Sequence, residues 1–273
     1  MIRTNIPSLH PRTATLVLPT SYRPGTPIPL VLGFHGGLGG PRVFEAQTRL
    51  TACAERSNFA VCYPSGTGFG QALTWNAGTC CGYAQRFSID DVGFVRRLVS
   101  EIQASYSIDP KRIYAAGFSN GAMLCYRLAC EAPELFAAVG VVSGSLPPMF
   151  TPKPMPLIAF HGLRDMNCPY AGGFGHNAVQ PVNHTGFEAT VAKWVAANGC
   201  PVKTAVELGN AVGKRRLWSN AQGTQVEAWT LTEGGHTWPG GVDVSRGLGT
   251  GKLIASVDAT GEVWRFFKGK VKA

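Results

Sequence analysis

A chain of 273 residues that is 45% apolar and only 15% charged can bury a large core, which excludes a disordered or fibrous protein. Its formal charge of +9 comes from scattered basic residues. The densest groups are Lys214, Arg215 and Arg216 and the tail Lys268, Lys270 and Lys272, so the concentrated patch that nucleic acid requires is not expected. No apolar run approaches membrane-spanning length, so no membrane partner is expected, and the first residues lack the charged-then-apolar order of a signal peptide.

No Pro/Ser linker, repeat or low-complexity tract divides the chain, which predicts a single domain over 1–273 with its core at about 13–268. Residues 13–18 alternate as a strand does, and Pro24, Gly25, Pro27 and Pro29 turn the chain into a continuous apolar strand at 30–34. His35, Gly36, Gly37, Leu38, Gly39 and Gly40 follow. Such a loop at a strand end can aim backbone N–H groups at an oxyanion; a flexible turn, or a phosphate loop lacking its lysine, reads equally well from these residues alone. A helix is expected over 43–56 and a strand over 59–63. The long loop 65–87 is rich in glycine and aromatics, and its Trp75 either lines a substrate cleft or packs beneath the loop.

Asp90 is placed to cap a helix carrying Val92, Val95, Val99, Ile102 and Tyr106 on one face. The apolar run 113–116 then reads as a buried strand and the residues from Asn120 onward as a helix. Between them lies Gly117-Phe118-Ser119-Asn120-Gly121, a G-x-S-x-G turn that would lift the serine hydroxyl above a sheet. Strands are expected at 138–142 and 157–160, the second opening into His161, Gly162, Leu163, Arg164 and Asp165. A helix over 187–198, a hairpin turning near Gly209 and Asn210, a last strand over 225–231 and a closing helix over 258–267 complete the chain. The segment Gly234-Gly235-His236-Thr237-Trp238-Pro239 follows the last strand. Helices alternating with apolar strands predict an α/β fold with a mainly parallel sheet and helices on both faces.

Ser119, Asp165 and His236 each follow a predicted strand, in the chain order of an α/β-hydrolase triad. A serine hydroxyl is too weak a nucleophile at neutral pH, so His236 would take its proton. Asp165 would hold the imidazole tautomer, and the Gly37 and Asn120 amides would bind the oxyanion. His35 and His161 precede glycines at strand ends and read as structural; His10 precedes the sheet, and His176 and His184 fall between Asp165 and the last strand. No HExxH or comparable ligand spacing is present, so neither a metal nor a cofactor is expected.

Eight cysteines without paired C-x-x-C units favour an oxidising, extracellular setting over reduced core thiols; Met1 would then begin a mature or trimmed form. Cys80 and Cys81, being adjacent, are expected to reach different partners or to leave one free.

The segments HGG after the second predicted strand, TWNAGTCCG, DDVGFVRRLV, SIDPKRIYAAGFSNGAM at 107–123, HGLRDMNCPYAGG and GGHTWPGG resemble, over about 13–268, secreted bacterial esterases of the polyhydroxybutyrate depolymerase, feruloyl and acetylxylan esterase type. The resemblance implies an α/β-hydrolase fold, the triad Ser119, Asp165 and His236, and an oxyanion amide from Gly37. Relatives often place a cysteine before the final strand to pair with that of NGC. Here Trp218, Ser219 and Asn220 stand there, so Cys200 is expected to be free or paired elsewhere. Depolymerases of the family typically append a substrate-binding domain, which is not expected here, whereas its cell wall esterases often act as a lone catalytic module or as one module of a larger enzyme. The expected substrate is therefore a feruloyl or acetyl ester, free or linked to plant polysaccharide, with Trp75 and Trp238 flanking an aromatic acyl group. Hydroxybutyrate oligomers, a peptidase on the same fold, and a carbohydrate-binding module with an idle triad are the competing readings.

Overall fold

The computed structural model describes residues 1–6, 12–70, 72–178, 180–208, 212–244 and 250–272. The elements in chain order are β1 (Ile2–Asn5), β2 (Ala14–Leu18), β3 (Ile28–Phe34), α1 (Pro41–Thr48), α2 (Leu50–Ser57), β4 (Ala60–Pro64), β5 (Thr67–Phe69), β6 (Ala72–Thr74), α3 (Gly82–Arg86), α4 (Asp91–Ser105), β7 (Ile108–Phe118), α5 (Asn120–Glu131), β8 (Ala138–Val142), β9 (Leu157–Gly162), β10 (Gly173–Phe174), β11 (Asn183–His184), α6 (Phe187–Ala197), β12 (Val202–Glu207), β13 (Gly213–Asn220), β14 (Gly223–Leu231) and α7 (Ala259–Phe267).

Ten strands form one sheet in the order β1-β2-β4-β3-β7-β8-β9-β14-β13-β12. The six central strands from β4 to β14 run parallel, and both flanks are antiparallel. Strand periodicity sorts the core into two layers. From β3, Leu30, Leu32 and Phe34 face α4, α5 and α6, while Val31 faces α1, α2 and α7. Strand β9 divides likewise, Leu157 and Ala159 to one side and Ile158 and Phe160 to the other. Both faces being covered is why these strands read as unbroken apolar runs. This is the architecture of the α/β-hydrolases.

Three expectations need correction. The helix expected over 43–56 is two helices, because Arg49 adopts φ 54° and the Thr48 hydroxyl, bonded to the Phe44 carbonyl, also receives the Leu50 amide; these local bonds compete with continued helix. The chain enters the sheet earlier than residue 13, through the exposed edge strand β1 paired with β2, whose polar sequence carries no apolar alternation. The loop 65–87 contains the β5–β6 hairpin and α3. Strands β12 and β13 do pair antiparallel as a hairpin, with Gly209 and Asn210 of the turn outside the described residues.

The cysteine reading also changes. Cys80 and Cys81 are bonded to each other across a cis peptide, and Cys53, Cys62, Cys125, Cys130, Cys168 and Cys200 are unpaired and buried. Burial pushes the Cys53, Cys62, Cys125, Cys130, Cys168 and Cys200 thiols up, which keeps them protonated and unreactive in the core.

Candidate active site

The C-terminal ends of β3, β7, β9 and β14 converge on one cavity of about 360 Å³, the position at which parallel α/β sheets bind ligands. Ser119 stands between β7 and α5 with φ 53° and ψ −120°, a conformation that a non-glycine residue holds only where its surroundings impose it. Its amide donates to the Val142 carbonyl of β8, and its own carbonyl receives the Met123 amide. The turn can be this tight only because its flanks lack side chains. A Cβ on Gly117 would lie 2.4 Å from the Gly121 carbonyl oxygen, and one on Gly121 would lie 2.2 Å from the Phe34 carbonyl oxygen.

His236 lies in the loop after β14, its amide bonded to the Thr250 carbonyl and its ring 4.9 Å from that of Phe118. Nε2 is 2.8 Å from Ser119 Oγ and Nδ1 is 2.8 Å from Asp165 Oδ2. With Nδ1–H donating to the carboxylate, Nε2 is the acceptor facing the serine hydroxyl. Asp165 is itself fixed, Oδ1 accepting from the Asn167 and Cys168 amides at 2.9 and 2.8 Å. Burial pushes its carboxyl up, but His236, His161 and the Cys168 amide outweigh this and hold it below the ordinary carboxylate range. His161 buttresses the loop, its Nε2 lying 2.7 Å from the Cys168 carbonyl and 3.5 Å from Asp165 Oδ2. Burial depresses the His161 imidazole towards its neutral form.

Gly37 and the backbone of Asn120 both line the cavity beside Ser119. Neither amide donates to a carbonyl among the described residues, which leaves both available to a ligand oxygen. The loop bearing Gly37 is set by His35: the Gly66 amide donates to Nε2, so Nδ1 carries the ring proton and donates to the Gly36 carbonyl at 2.8 Å. Burial pushes His35 down to about 4, so it stays neutral in this role.

The two expected tryptophans part company. Trp238 lines the cavity, packed edge-on against Phe44 with Nε1 donating to the Thr260 hydroxyl. Trp75 does not line it. It is fully buried, its Nε1 donates to the His35 carbonyl, and its amide and carbonyl are both held by the Asn120 side chain at 2.7 and 2.9 Å. Of the two readings open for Trp75, the packing one holds, and its bonds tie together the segments that carry the Gly37 and Asn120 amides. The Asn120 side chain had no signal in the sequence beyond its place after the serine, because its partner is 45 residues away.

Beneath Trp75 sits a buried ion pair. Arg12 Nη1 is 2.7 Å from Asp91 Oδ1, its guanidinium lies 3.5 Å from the Phe94 ring centroid, and Asp91 Oδ2 accepts the Asn76 amide. The two aspartates that open α4 therefore divide their work, Asp90 capping the helix through the Gly93 amide and Asp91 anchoring the Trp75 segment. Asp91→Ala would leave the Arg12 charge buried without its partner, an expected loss of about 3–5 kcal/mol of stability, to be read as a lowered midpoint in urea unfolding.

Of the remaining histidines, His176 is exposed and His10 lies outside the described residues. His184 lines the cavity, which its sequence position between Asp165 and the last strand gave no reason to expect.

The fold and this constellation define an α/β-hydrolase. The family model described as Esterase PHB depolymerase matches residues 15–151, half of the chain. Feruloyl esterase B of Piromyces equi is 28% identical over 239 residues, an alignment covering 82% of this chain and 42% of that protein, so the chain spans less than half of that relative's length. Poly(3-hydroxyalkanoate) depolymerase C of Paucimonas lemoignei is 26% identical over 240 residues, covering 77% of this chain and 55% of that one. Among solved structures, the acetyl xylan esterase of Aspergillus awamori superposes with a TM-score of 0.64 at 15% identity, covering 87% of this chain and 94% of that one, a likeness of fold. The chain belongs to the esterase PHB depolymerase family, a family of carboxylic ester hydrolases.

Proposed function

We propose that the protein hydrolyses carboxylic esters through an acyl-enzyme formed on Ser119, with feruloyl or acetyl esters of plant polysaccharide as its substrates. The observation that carries this reading is the unbroken relay from Ser119 Oγ through His236 to Asp165, with both hydrogen bonds at 2.8 Å, opening on a cavity of about 360 Å³. His236 Nε2 takes the hydroxyl proton as Ser119 Oγ attacks the ester carbonyl, and the oxyanion is received by the Gly37 and Asn120 amides. The tetrahedral intermediate collapses as the imidazolium returns the proton to the departing alkoxide. A water then repeats the sequence on the acyl-enzyme, with His236 again as base. Asp165 stays ionised throughout and compensates the charge on the imidazolium.

The acyl and alcohol classes are supported by the names of the relatives and by the walls of the cavity, where Phe118, Met123, Val182, Trp238 and Val242 offer apolar surface to a ring or a short chain. A volume of about 360 Å³ sits at the small end of the ~300–1,000 Å³ usual for small-molecule sites, which suits one acyl group better than a polymer strand. Initial rates on 4-nitrophenyl acetate, 4-nitrophenyl butyrate and methyl ferulate test the reading. Turnover extending to the ferulate supports a cell wall esterase. Turnover confined to the short chains moves the assignment to acetyl esters or hydroxybutyrate oligomers, and cleavage of a peptide anilide in preference to all three would overturn it.

A further inference from the structure

One wall of the cavity is not used by the triad. The chain beyond Asp165 passes through the β10–β11 hairpin, where Gly173 pairs with His184, and returns Val182 and His184 to the cavity; Cys80, Cys81 and Met123 pack with Val182 in a small cluster of their own. The surface so formed is apolar and rich in sulfur, a lining that favours an aromatic ring over a sugar, whose several hydroxyls would each need a partner. The Gln180 side chain on this wall is spent on the adjoining loop, accepting the Gly82 amide and donating to the Thr79 carbonyl, and Asn167 donates to the Asn177 carbonyl.

His184 is held differently. Its Nδ1 lies 2.9 Å from Ser145 Oγ and 3.5 Å from Cys168 Sγ, both buried behind the wall. Burial raises the Cys168 thiol well above its ordinary range, so it keeps its proton, and a thiol is a poor acceptor. The Ser145 hydroxyl and the protonated thiol can both donate to Nδ1, the arrangement in which the proton of the neutral ring sits on Nε2. Burial also pushes the imidazole down to about 4, so the neutral form is the one present at physiological pH. Nε2 has no hydrogen-bond partner among the described residues, and the ring lines the cavity. An N–H beside the apolar patch of Met123, Val182, Cys80 and Cys81 is how a pocket selects for a polar substituent on an otherwise apolar ring.

We propose that His184 is a specificity-determining residue, donating a hydrogen bond from Nε2 to a hydroxyl or alkoxy oxygen on an aromatic acyl group that lies against Met123, Val182 and the Cys80 and Cys81 sulfurs. The proposal rests on the reading of this site as an esterase. Its test is the ratio of kcat/KM for methyl ferulate, which carries ring oxygens, to that for methyl cinnamate, which carries none. The ratio is measured in the wild type, in His184→Phe and in His184→Gln, with 4-nitrophenyl acetate reporting whether the enzyme is an esterase at all. His184→Phe is expected to lower the ratio about tenfold, and His184→Gln, which keeps an N–H donor, to recover most of it. A purely structural role would lower both rates together and leave the ratio where it was. That outcome, or a wild type that hydrolyses 4-nitrophenyl acetate but neither aromatic ester, would overturn the proposal while leaving the esterase reading intact. Failure of the wild type on 4-nitrophenyl acetate as well would sink the esterase reading itself.

Discussion

Ser119→Ala is expected to lower kcat on 4-nitrophenyl acetate by about 10⁴–10⁶-fold while leaving the fold intact. The first half of that expectation follows from the relay: with Oγ gone, His236 Nε2 has no proton to take and no covalent route remains. The second half follows from how the turn is held. The bonds that fix it run through the Ser119 amide to Val142 and the Ser119 carbonyl to Met123, and alanine keeps both. Some acceleration over water should persist, since Gly37, Asn120 and the cavity walls are untouched. The thermal midpoint, measured beside the rate, separates this from simple unfolding. A variant that retains more than a few per cent of wild-type kcat would mean that another group is the nucleophile.

Asp165→Asn is the second large effect, with kcat expected to fall about 10⁴-fold. An amide in place of the Asp165 carboxylate can present N–H to His236 Nδ1, which pushes the ring proton onto Nε2. His236 then faces Ser119 as a donor and cannot act as base. Because the two residues act as a unit, Ser119→Ala combined with Asp165→Asn should be hardly worse than Ser119→Ala alone, and a multiplicative loss would contradict the relay. Stability should respond with a definite sign. The Asp165 carboxyl is depressed in the folded state, so the stability it contributes is fully present above the unfolded carboxylate pKa of about 3.9 and is lost as pH falls through the lower folded value. The stability difference between the wild type and Asp165→Asn should therefore shrink below about pH 4, as followed by urea midpoints from pH 7 to pH 3.

The parallel sheet and the strand-end positions of Ser119, Asp165 and His236 were legible in the chain because each rests on a local pattern. Apolar runs mark strands buried on both faces, and Gly117, Gly121, Gly162 and Gly235 mark places where backbones approach too closely for a side chain. What the chain concealed depends on contacts between distant segments. Trp75 left two readings open, lining a cleft or packing beneath its loop; that its carbonyl and amide belong to Asn120, and its indole N–H to His35, emerges only when β3 and β7 lie side by side. His184 was passed over for the same reason, since Ser145 and Cys168, which orient its ring, are 39 and 16 residues away. The adjacent Cys80 and Cys81 were expected to reach different partners or to leave one free, whereas they are bonded to each other. Arg49 shows the limit of periodicity from another side: the apolar spacing over 43–56 continues across a residue whose backbone breaks the helix.

The central claim is that esters are cleaved through a covalent intermediate on Ser119 activated by His236. Its most direct test is rapid acid quenching of the wild type during turnover of 4-nitrophenyl butyrate, followed by intact-protein and peptide mass spectrometry. One butyryl group on the peptide containing Ser119, absent from Ser119→Ala and accumulating in step with a burst of 4-nitrophenol, is the predicted result. Turnover with a butyryl group on a different residue, or with none bound to the protein, would contradict it.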